Sequence, residues 1–203
     1  LAATSLGAVW CSASPDFGPR GVLDRFGQIE PKVLITVDAY WYAGKKNPLG
    51  DRLAEIVAAL PSVGQVVVAD LCGDAAKVAE SLPNGATLEA YTAPFKAGQP
   101  TFERLPFDHP VYILFSSGTT GVPKCIVHRA GGVLLQHLKE HALHADLRAG
   151  DRLFYFTTLG WMMWNWLASG LATGATLLLY DGSPFHPGPA VLFDYAEKER
   201  MTH

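Results

Sequence analysis

Short apolar runs alternate along the chain with segments whose apolar residues recur at helical spacing. The runs predict strands near residues 8–12, 32–37, 65–69, 111–115, 125–128, 152–157 and 175–180. The helical spacing predicts helices near residues 1–6, 19–28, 49–60, 74–82, 132–144, 161–171 and 189–199. Between residues 92 and 110 the pattern is irregular. The alternation of strand and helix predicts an α/β fold, with mainly parallel sheets flanked by helices.

One apolar stretch, residues 153–180, contains no charged residue and is long enough to span a bilayer. Glycine and threonine interrupt it at Thr157, Gly160, Gly170 and Gly174. This punctuation predicts a strand, a helix and a second strand. Buried elements of a parallel α/β core have such apolar sequences, so we expect no membrane span here.

Composition narrows the class of protein. At 203 residues, with 49% hydrophobic and 17% charged residues, the chain can bury a sizeable core. Its net charge of −3 does not indicate the basic surface that binds nucleic acid, so we expect no nucleic-acid partner. Cys11, Cys72 and Cys125 lie far apart without a C-x-x-C pair, which favours a reducing, cytoplasmic location. No repeat or linker divides the chain.

The most informative segment, residues 116–124, follows the strand at 111–115 and reads Ser-Ser-Gly-Thr-Thr-Gly-Val-Pro-Lys. Glycines let backbone N–H groups surround an anion, hydroxyls add donors, and the lysine adds positive charge. It is not a Walker A loop, because Pro123 and Cys125 stand where a glycine and a Ser or Thr are required. The alternative is a plain turn with an incidental lysine. We predict a phosphate-binding loop formed by Ser116, Ser117, Gly118, Thr119, Thr120, Gly121 and Lys124.

This segment resembles the signature loop of the adenylate-forming superfamily, which includes acyl-CoA synthetases, luciferases and adenylation domains of peptide synthetases. Residues 1–10, 14–17, 21–32 and 131–141 resemble the branch of acyl-CoA synthetases that acts on acetoacetate. The resemblance covers nearly all of the chain. It implies that residues 1–203 are part of the AMP-binding N-terminal domain of a ligase. Such an enzyme converts acetoacetate through acetoacetyl-AMP to acetoacetyl-CoA, with ATP, Mg²⁺ and coenzyme A.

In that superfamily the loop contacts the β- and γ-phosphates of ATP. The resemblance therefore implies the same contacts for the loop residues named above. The small C-terminal domain, with its adenylation lysine, would lie beyond His203, so the catalytic residue is unknown here. Residues 1–203 alone are therefore expected not to turn over. Two alternatives stay open: another short-chain acyl-CoA synthetase, similar to those that use acetate, and a stand-alone, non-catalytic nucleotide- or phosphate-binding module.

The resemblance also implies residues for the other two substrates. Trp161, Met162 and Met163 follow a Gly where acetyl-CoA synthetases line their acyl pocket, although Met and aromatic clusters also simply pack in cores. Lys45 corresponds to the second arginine of an Arg-Ala-Gly-Arg segment that contacts coenzyme A, and Tyr42 replaces the first. A lysine lacks the bidentate fork of arginine. The alternative for Lys45 is a solvated basic loop.

A motif of another class occurs at residues 137–141, where His137, Glu140 and His141 match the H-x-x-E-H pattern of inverted zinc peptidases. The flanking polar residues predict a solvated helix face, and no third ligand is evident. We therefore predict no metal site.

Four other polar residues lie near predicted strand ends. His128 could orient a substrate, but a lone histidine there is more often structural. No pairing gives the remaining three, Asp16, Asp38 and Asp70, an acid or base role.

Overall fold

The computed structural model describes residues 1–117 and 121–203. The α-helices are α1 (Ala2–Ser5), α2 (Pro19–Phe26), α3 (Gly50–Ala58), α4 (Ala75–Glu80), α5 (Leu88–Thr92), α6 (Ala130–Lys139), α7 (Met162–Ser169) and α8 (Val191–Glu199). The strands are β1 (Trp10–Cys11), β2 (Val33–Val37), β3 (Ala39–Tyr42), β4 (Lys45–Pro48), β5 (Gln65–Ala69), β6 (Gly85–Thr87), β7 (Pro110–Phe115), β8 (Cys125–Arg129), β9 (Arg152–Phe154) and β10 (Thr176–Leu178). A π-helical turn, Glu140–His144, extends α6.

The chain divides into two compact units. Unit 1 comprises Leu1–Ser14, Thr101–Leu114 and Ile126–His203, and unit 2 comprises Pro15–Pro100 and Phe115–Cys125. The predicted α/β class is confirmed, because helices alternate with sheets in which the pairs β1–β7, β2–β5, β5–β6 and β9–β10 are parallel.

Unit 2 is built on a parallel sheet in the order β2–β5–β6. The central strand β5 buries three successive valines, Val66, Val67 and Val68, which are at most 1% exposed. A strand with helices on both faces buries side chains in both directions, which explains its unbroken apolar sequence. Helix α3 buries Leu53, Ile56 and Val57, which have the spacing of one helical face.

A hairpin of β3 and β4 was not predicted from the sequence. Its strands are antiparallel, with Tyr42 opposite Lys45. Ala43 and Gly44 form the connection with φ angles of 48° and 77°. Positive φ at both central residues matches the twist that a two-residue hairpin requires. Lys45 begins strand β4 directly after this connection and is exposed, so the solvated alternative for Lys45 stays open.

The carboxylate of Asp38 organises the loop that follows β5. Asp38 is 1% exposed, and its oxygens accept hydrogen bonds from the backbone N–H groups of Leu71 (3.0 Å), Cys72 (3.1 Å) and Asp74 (2.7 Å). Burial alone would raise the pKa of Asp38. The N–H donors outweigh burial, so the pKa of this carboxyl is lowered. Asp38 is thus a structural anion that joins the end of β2 to the start of α4.

Unit 1 contains a sheet in the order β1–β7–β8 and a parallel pair formed by β9 and β10. A buried cluster that includes Leu153 of β9 consists of Leu147, Leu153, Leu167 and Ala175. The uncharged stretch 153–180 folds as the predicted succession of strand, helix and strand. Within residues 1–117 and 121–203, no helix has the length and apolar character needed to cross a membrane.

We expect Asp38→Asn to lower the free energy of unfolding at pH 7 by about 2 kcal/mol, because an amide NH₂ would face backbone donors. A carboxyl with a lowered folded pKa stabilises the protein above its unfolded pKa and loses this effect as pH falls through the folded value. The difference between variant and wild type should therefore shrink below about pH 4, measured by urea unfolding.

The matched control is Asp70→Asn. Asp70 is exposed and accepts one turn hydrogen bond from the N–H of Gly73, at 2.7 Å. Its loss should cost less than about 0.5 kcal/mol. Equal costs for the two variants, or a cost of Asp38→Asn that is independent of pH, would contradict the structural role of Asp38.

Candidate phosphate-binding loop and associated sites

The candidate phosphate-binding loop connects the end of β7 to the start of β8, and Ser116 and Lys124 close its neck. The N–H of Ser116 donates to the carbonyl of Lys124 at 3.0 Å. The N–H of Lys124 donates back to Ser116 Oγ at 2.9 Å. Three predicted loop residues, Gly118, Thr119 and Thr120, lie outside the described residues. The neck is thus held by one main-chain hydrogen bond and one bond from a main-chain N–H to the side chain of Ser116.

Most described residues of the loop are exposed, whereas Pro123 is buried. Ser117, Gly121 and Lys124 are exposed, and Val122 is 63% exposed. Lys124 makes no ion pair with any residue in the described parts of the chain. The hydroxyl of Ser117 and the ammonium of Lys124 are therefore both available to a ligand. This arrangement supports the phosphate-binding interpretation over an incidental turn lysine.

The position of Gly121 requires glycine. Its φ angle is 143°, a conformation that L side chains rarely adopt. Nothing lies within 4 Å of the point where a Cβ would be placed, so the restriction comes from the backbone and not from crowding.

Gln28, which follows α2, contacts this loop and was not identified from the sequence. Its Nε2 donates to the carbonyl of Pro123 at 2.8 Å, across a separation of 95 residues. Glutamine beyond a helix end carries no motif, and only the folded backbone brings the two segments together. No local sequence signal could have found this contact.

The three predicted acyl-pocket residues lie at the start of α7. Trp161 is 63% and Met162 is 45% exposed, while Met163 is partly buried. The core beside this helix uses Leu167 instead, with Trp164 packed against it. Simple core packing therefore does not account for Trp161 and Met162. The described cavity of about 50 Å³ near β9 and β10 is lined by other residues, including Tyr155 and Trp164.

Lys45 is exposed at the tip of the β3–β4 hairpin, beside Tyr42. The neighbouring Lys46 is engaged, because its Nζ donates to Asp74 Oδ2 at 2.7 Å and to the carbonyl of Cys72 at 2.9 Å. The hydrogen bond with Asp74 raises the pKa of Lys46. Of these two lysines, only Lys45 has its ammonium free of a described partner. Its contact with coenzyme A stays a prediction.

The histidines of the H-x-x-E-H match do not lie on a solvated face, so that prediction is wrong. His137 is 7% and His141 is 0% exposed, because residues four apart share one helix face and this face packs inward. His141 Nε2 lies 3.0 Å from the carbonyl of Trp166. Burial lowers the pKa of His141, and burial together with neighbouring histidines lowers that of His137. Both rings are core groups that are neutral at pH 7.

No metal site accompanies these histidines in the part of the chain that the structure describes, where no group of three or more His, Cys, Asp or Glu could hold an ion. Glu140 is instead paired with Lys139 at 2.9 Å. His128 also packs internally, with its ring centroid 5.0 Å from that of Tyr112. Burial lowers the pKa of His128 and raises that of Tyr112 to about 12. These contacts support a structural role for His128.

The chain is similar to known proteins along its whole length. A family model described as AMP-binding enzyme matches residues 1–203. The chain is 62% identical over 202 residues to acetoacetyl-coenzyme A synthetase of Rhizobium meliloti (strain 1021), covering 100% of the chain and 31% of the relative. It is 49% identical over 198 residues to malonamoyl-CoA synthetase vrtB of Penicillium aethiopicum, covering 94% and 27%.

A solved structure gives the same result. Acetoacetyl-CoA synthetase from Streptomyces lividans superimposes with a TM-score of 0.90 at 48% identity, over 98% of this chain and 30% of that one. The resemblance stated from the sequence is confirmed. The chain spans 31% of the length of the Rhizobium relative.

We expect Gly121→Ala to lower the free energy of unfolding by about 1 kcal/mol, because alanine is strained at this φ. Gly132→Ala is the matched control, since Gly132 lies in α6, with nothing within 4 Å of its Cβ position and no positive φ. It should raise the free energy of unfolding by roughly 0.5–1 kcal/mol. Urea unfolding of the protein from the full reading frame measures both. Opposite signs are expected, and stabilisation by both variants would contradict the assigned loop conformation.

Proposed function

Because the chain belongs to the AMP-binding enzyme family, we propose that residues 1–203 are part of the N-terminal domain of an ATP-dependent acetoacetate–CoA ligase. The reaction converts acetoacetate through acetoacetyl-AMP to acetoacetyl-CoA and releases AMP and pyrophosphate. The observation that carries this proposal is the closed neck between Ser116 and Lys124, which leaves the lysine ammonium exposed. The names of the relatives support the choice of acid.

The chemistry explains why such a loop is needed. A carboxylate is a poor acyl donor, and attack on the α-phosphorus of ATP converts it to a mixed anhydride with AMP. Negative charge then grows on the departing pyrophosphate. We assign the stabilisation of that charge to the exposed cation of Lys124 and the exposed hydroxyl of Ser117, while Ser116 holds the neck closed. The remaining residues of 116–121 would add backbone and hydroxyl donors.

Magnesium is the expected companion of ATP, because the ion binds largely through substrate phosphates. Residues 1–117 and 121–203 offer no cluster of carboxylates, histidines or cysteines that could hold it. We therefore assign none of the described residues to Mg²⁺ and derive no step through it.

Trp161, Met162 and Met163 are our candidates for the acyl pocket, and the exposure of the first two supports this assignment. Two acids suggested by the relatives' names, acetoacetate and malonamate, share a carbonyl β to the carboxylate and differ by a terminal methyl in place of an amide NH₂. An apolar thioether wall favours the methyl, because the NH₂ would lose its hydrogen bonds to water. This favours acetoacetate. Lys45 remains our candidate for coenzyme A.

We place the protein in the cytoplasm. The three widely spaced cysteines support a reducing compartment, and Cys125 stands exposed next to the loop lysine. The net charge of −3 is in keeping with small-molecule substrates and not with nucleic acid.

Acid-dependent exchange between ATP and labelled pyrophosphate tests this function, with the protein from the full reading frame. We expect exchange with acetoacetate, and a rate per concentration of acid at least about tenfold lower with malonamate and with acetate. Exchange that depends on malonamate as strongly as on acetoacetate would move the assignment to β-carbonyl acids in general. Exchange that needs none of these acids, or no exchange at all, would contradict it.

A further inference from the structure

Gln28 contacts the loop on the C-terminal side of its neck. Its Nε2 donates to the carbonyl of Pro123 at 2.8 Å, and its Oε1 accepts from Cys125 Sγ at 3.6 Å. The same Nε2 donates to the carbonyl of Asp24 in the last turn of α2, at 2.6 Å. One amide side chain thus joins a helix end to the residues on either side of Lys124.

Three backbone groups at Lys124 and the residue before it are hydrogen-bonded within the protein. The carbonyl of Pro123 is taken by Gln28, and the N–H and carbonyl of Lys124 are both taken by Ser116. Pro123 itself has no N–H to satisfy. The peptide group before Lys124 is therefore bonded at both its N–H and its carbonyl, and the one after it is bonded at its carbonyl.

The other end of the loop is supported by the same helix. The guanidinium of Arg25 lies 4.9 Å from the ring centroid of Phe17 and 6.0 Å from that of Phe115, the last residue of β7. Arg25 is held in place because its Nη1 donates to the carbonyl of Gly21 at 2.7 Å. The C-terminal end of α2 therefore contacts Phe115 and Cys125, the two residues that flank the loop, through Arg25 and Gln28.

We propose that Gln28 is a positioning residue for the phosphate-binding loop, which holds Lys124 where its ammonium meets the nucleotide phosphates. This inference rests on the proposed function. A residue that merely caps α2 would affect stability alone. A positioning residue acts through Lys124, so its effect on ATP should disappear when the lysine is removed.

A double-mutant cycle separates these roles. Gln28→Met keeps the length of the side chain and removes both its donor and its acceptor, and Lys124→Met removes the ammonium. With the protein from the full reading frame, Gln28→Met should lower kcat/KM for ATP in pyrophosphate exchange by about tenfold. In the Lys124→Met background, adding Gln28→Met should lower kcat/KM for ATP by less than about twofold. In both backgrounds, Gln28→Met should change KM for acetoacetate by less than about twofold.

Gln136→Met is the matched control. Gln136 is a glutamine on α6 whose Nε2 donates to Glu140 Oε1 at 2.9 Å on an exposed surface. It should leave kcat/KM for ATP unchanged, whereas thermal unfolding of all variants reports any loss of the folded state. The proposal is overturned if Gln28→Met acts by the same factor in both backgrounds, if it has no effect, or if KM for acetoacetate rises as much as KM for ATP.

Failure of the proposed function would be seen separately, as absence of acid-dependent exchange by the wild type. The same cycle is then measured by calorimetric binding of ATP. The positioning role is supported if Gln28→Met weakens ATP binding in the wild-type background but not in the Lys124→Met background. Equal ATP affinities of the wild type and Gln28→Met would overturn it. A wild-type protein that binds no ATP overturns the function and the positioning role together.

Discussion

The central constraint in this structure is the pair of hydrogen bonds between Ser116 and Lys124. They use the N–H and the carbonyl of the lysine, and the carbonyl of the preceding proline is used by Gln28. A backbone whose polar groups are satisfied within the protein has little reason to rearrange when a ligand arrives. The cost of ordering then falls mainly on one flexible side chain, which is the advantage of a preorganised site.

The rest of unit 2 provides rigid support for this loop. Three buried valines in β5 anchor a parallel sheet, and the buried carboxylate of Asp38 fixes the loop after that strand. Helix α2 packs on α3 and carries Arg25 and Gln28 to the loop. Under the proposed function, side chains outside the loop therefore support its conformation, and substitutions of Arg25 or Gln28 would alter the position of Lys124.

Much of the fold could be predicted because periodicity is a local property. The apolar run of β5 and the helical spacing of α3 were each sufficient, and the uncharged stretch 153–180 was divided correctly by its glycines and threonines. The β3–β4 hairpin was missed because Ala43 adopts a positive φ without the Asn or Asp that usually signals such a turn. The short β6 and α5 carry too few residues for a period to emerge.

The site residues likewise divide into those that local sequence identifies and those whose contacts come from distant parts of the chain. The glycines, hydroxyls and lysine within residues 116–124 predict anion binding from local sequence alone. The partners of Asp38 lie 33 to 36 residues away, and Gln28 lies 95 residues from Pro123. The burial of His137 and His141 also depends on what α6 packs against, which their polar neighbours did not indicate. Contacts of this kind become visible only in the folded chain.

The claim that Lys124 binds the terminal phosphates is tested most directly by comparing nucleotides of different length. Calorimetric binding of ATP, pyrophosphate and AMP would be measured for the wild type and for Lys124→Met, with the protein from the full reading frame. A lysine on the β- and γ-phosphates predicts that ATP and pyrophosphate each bind at least about tenfold more weakly to the variant, while AMP changes by less than about twofold. An equal loss for AMP, or no loss for any of the three, would contradict the account.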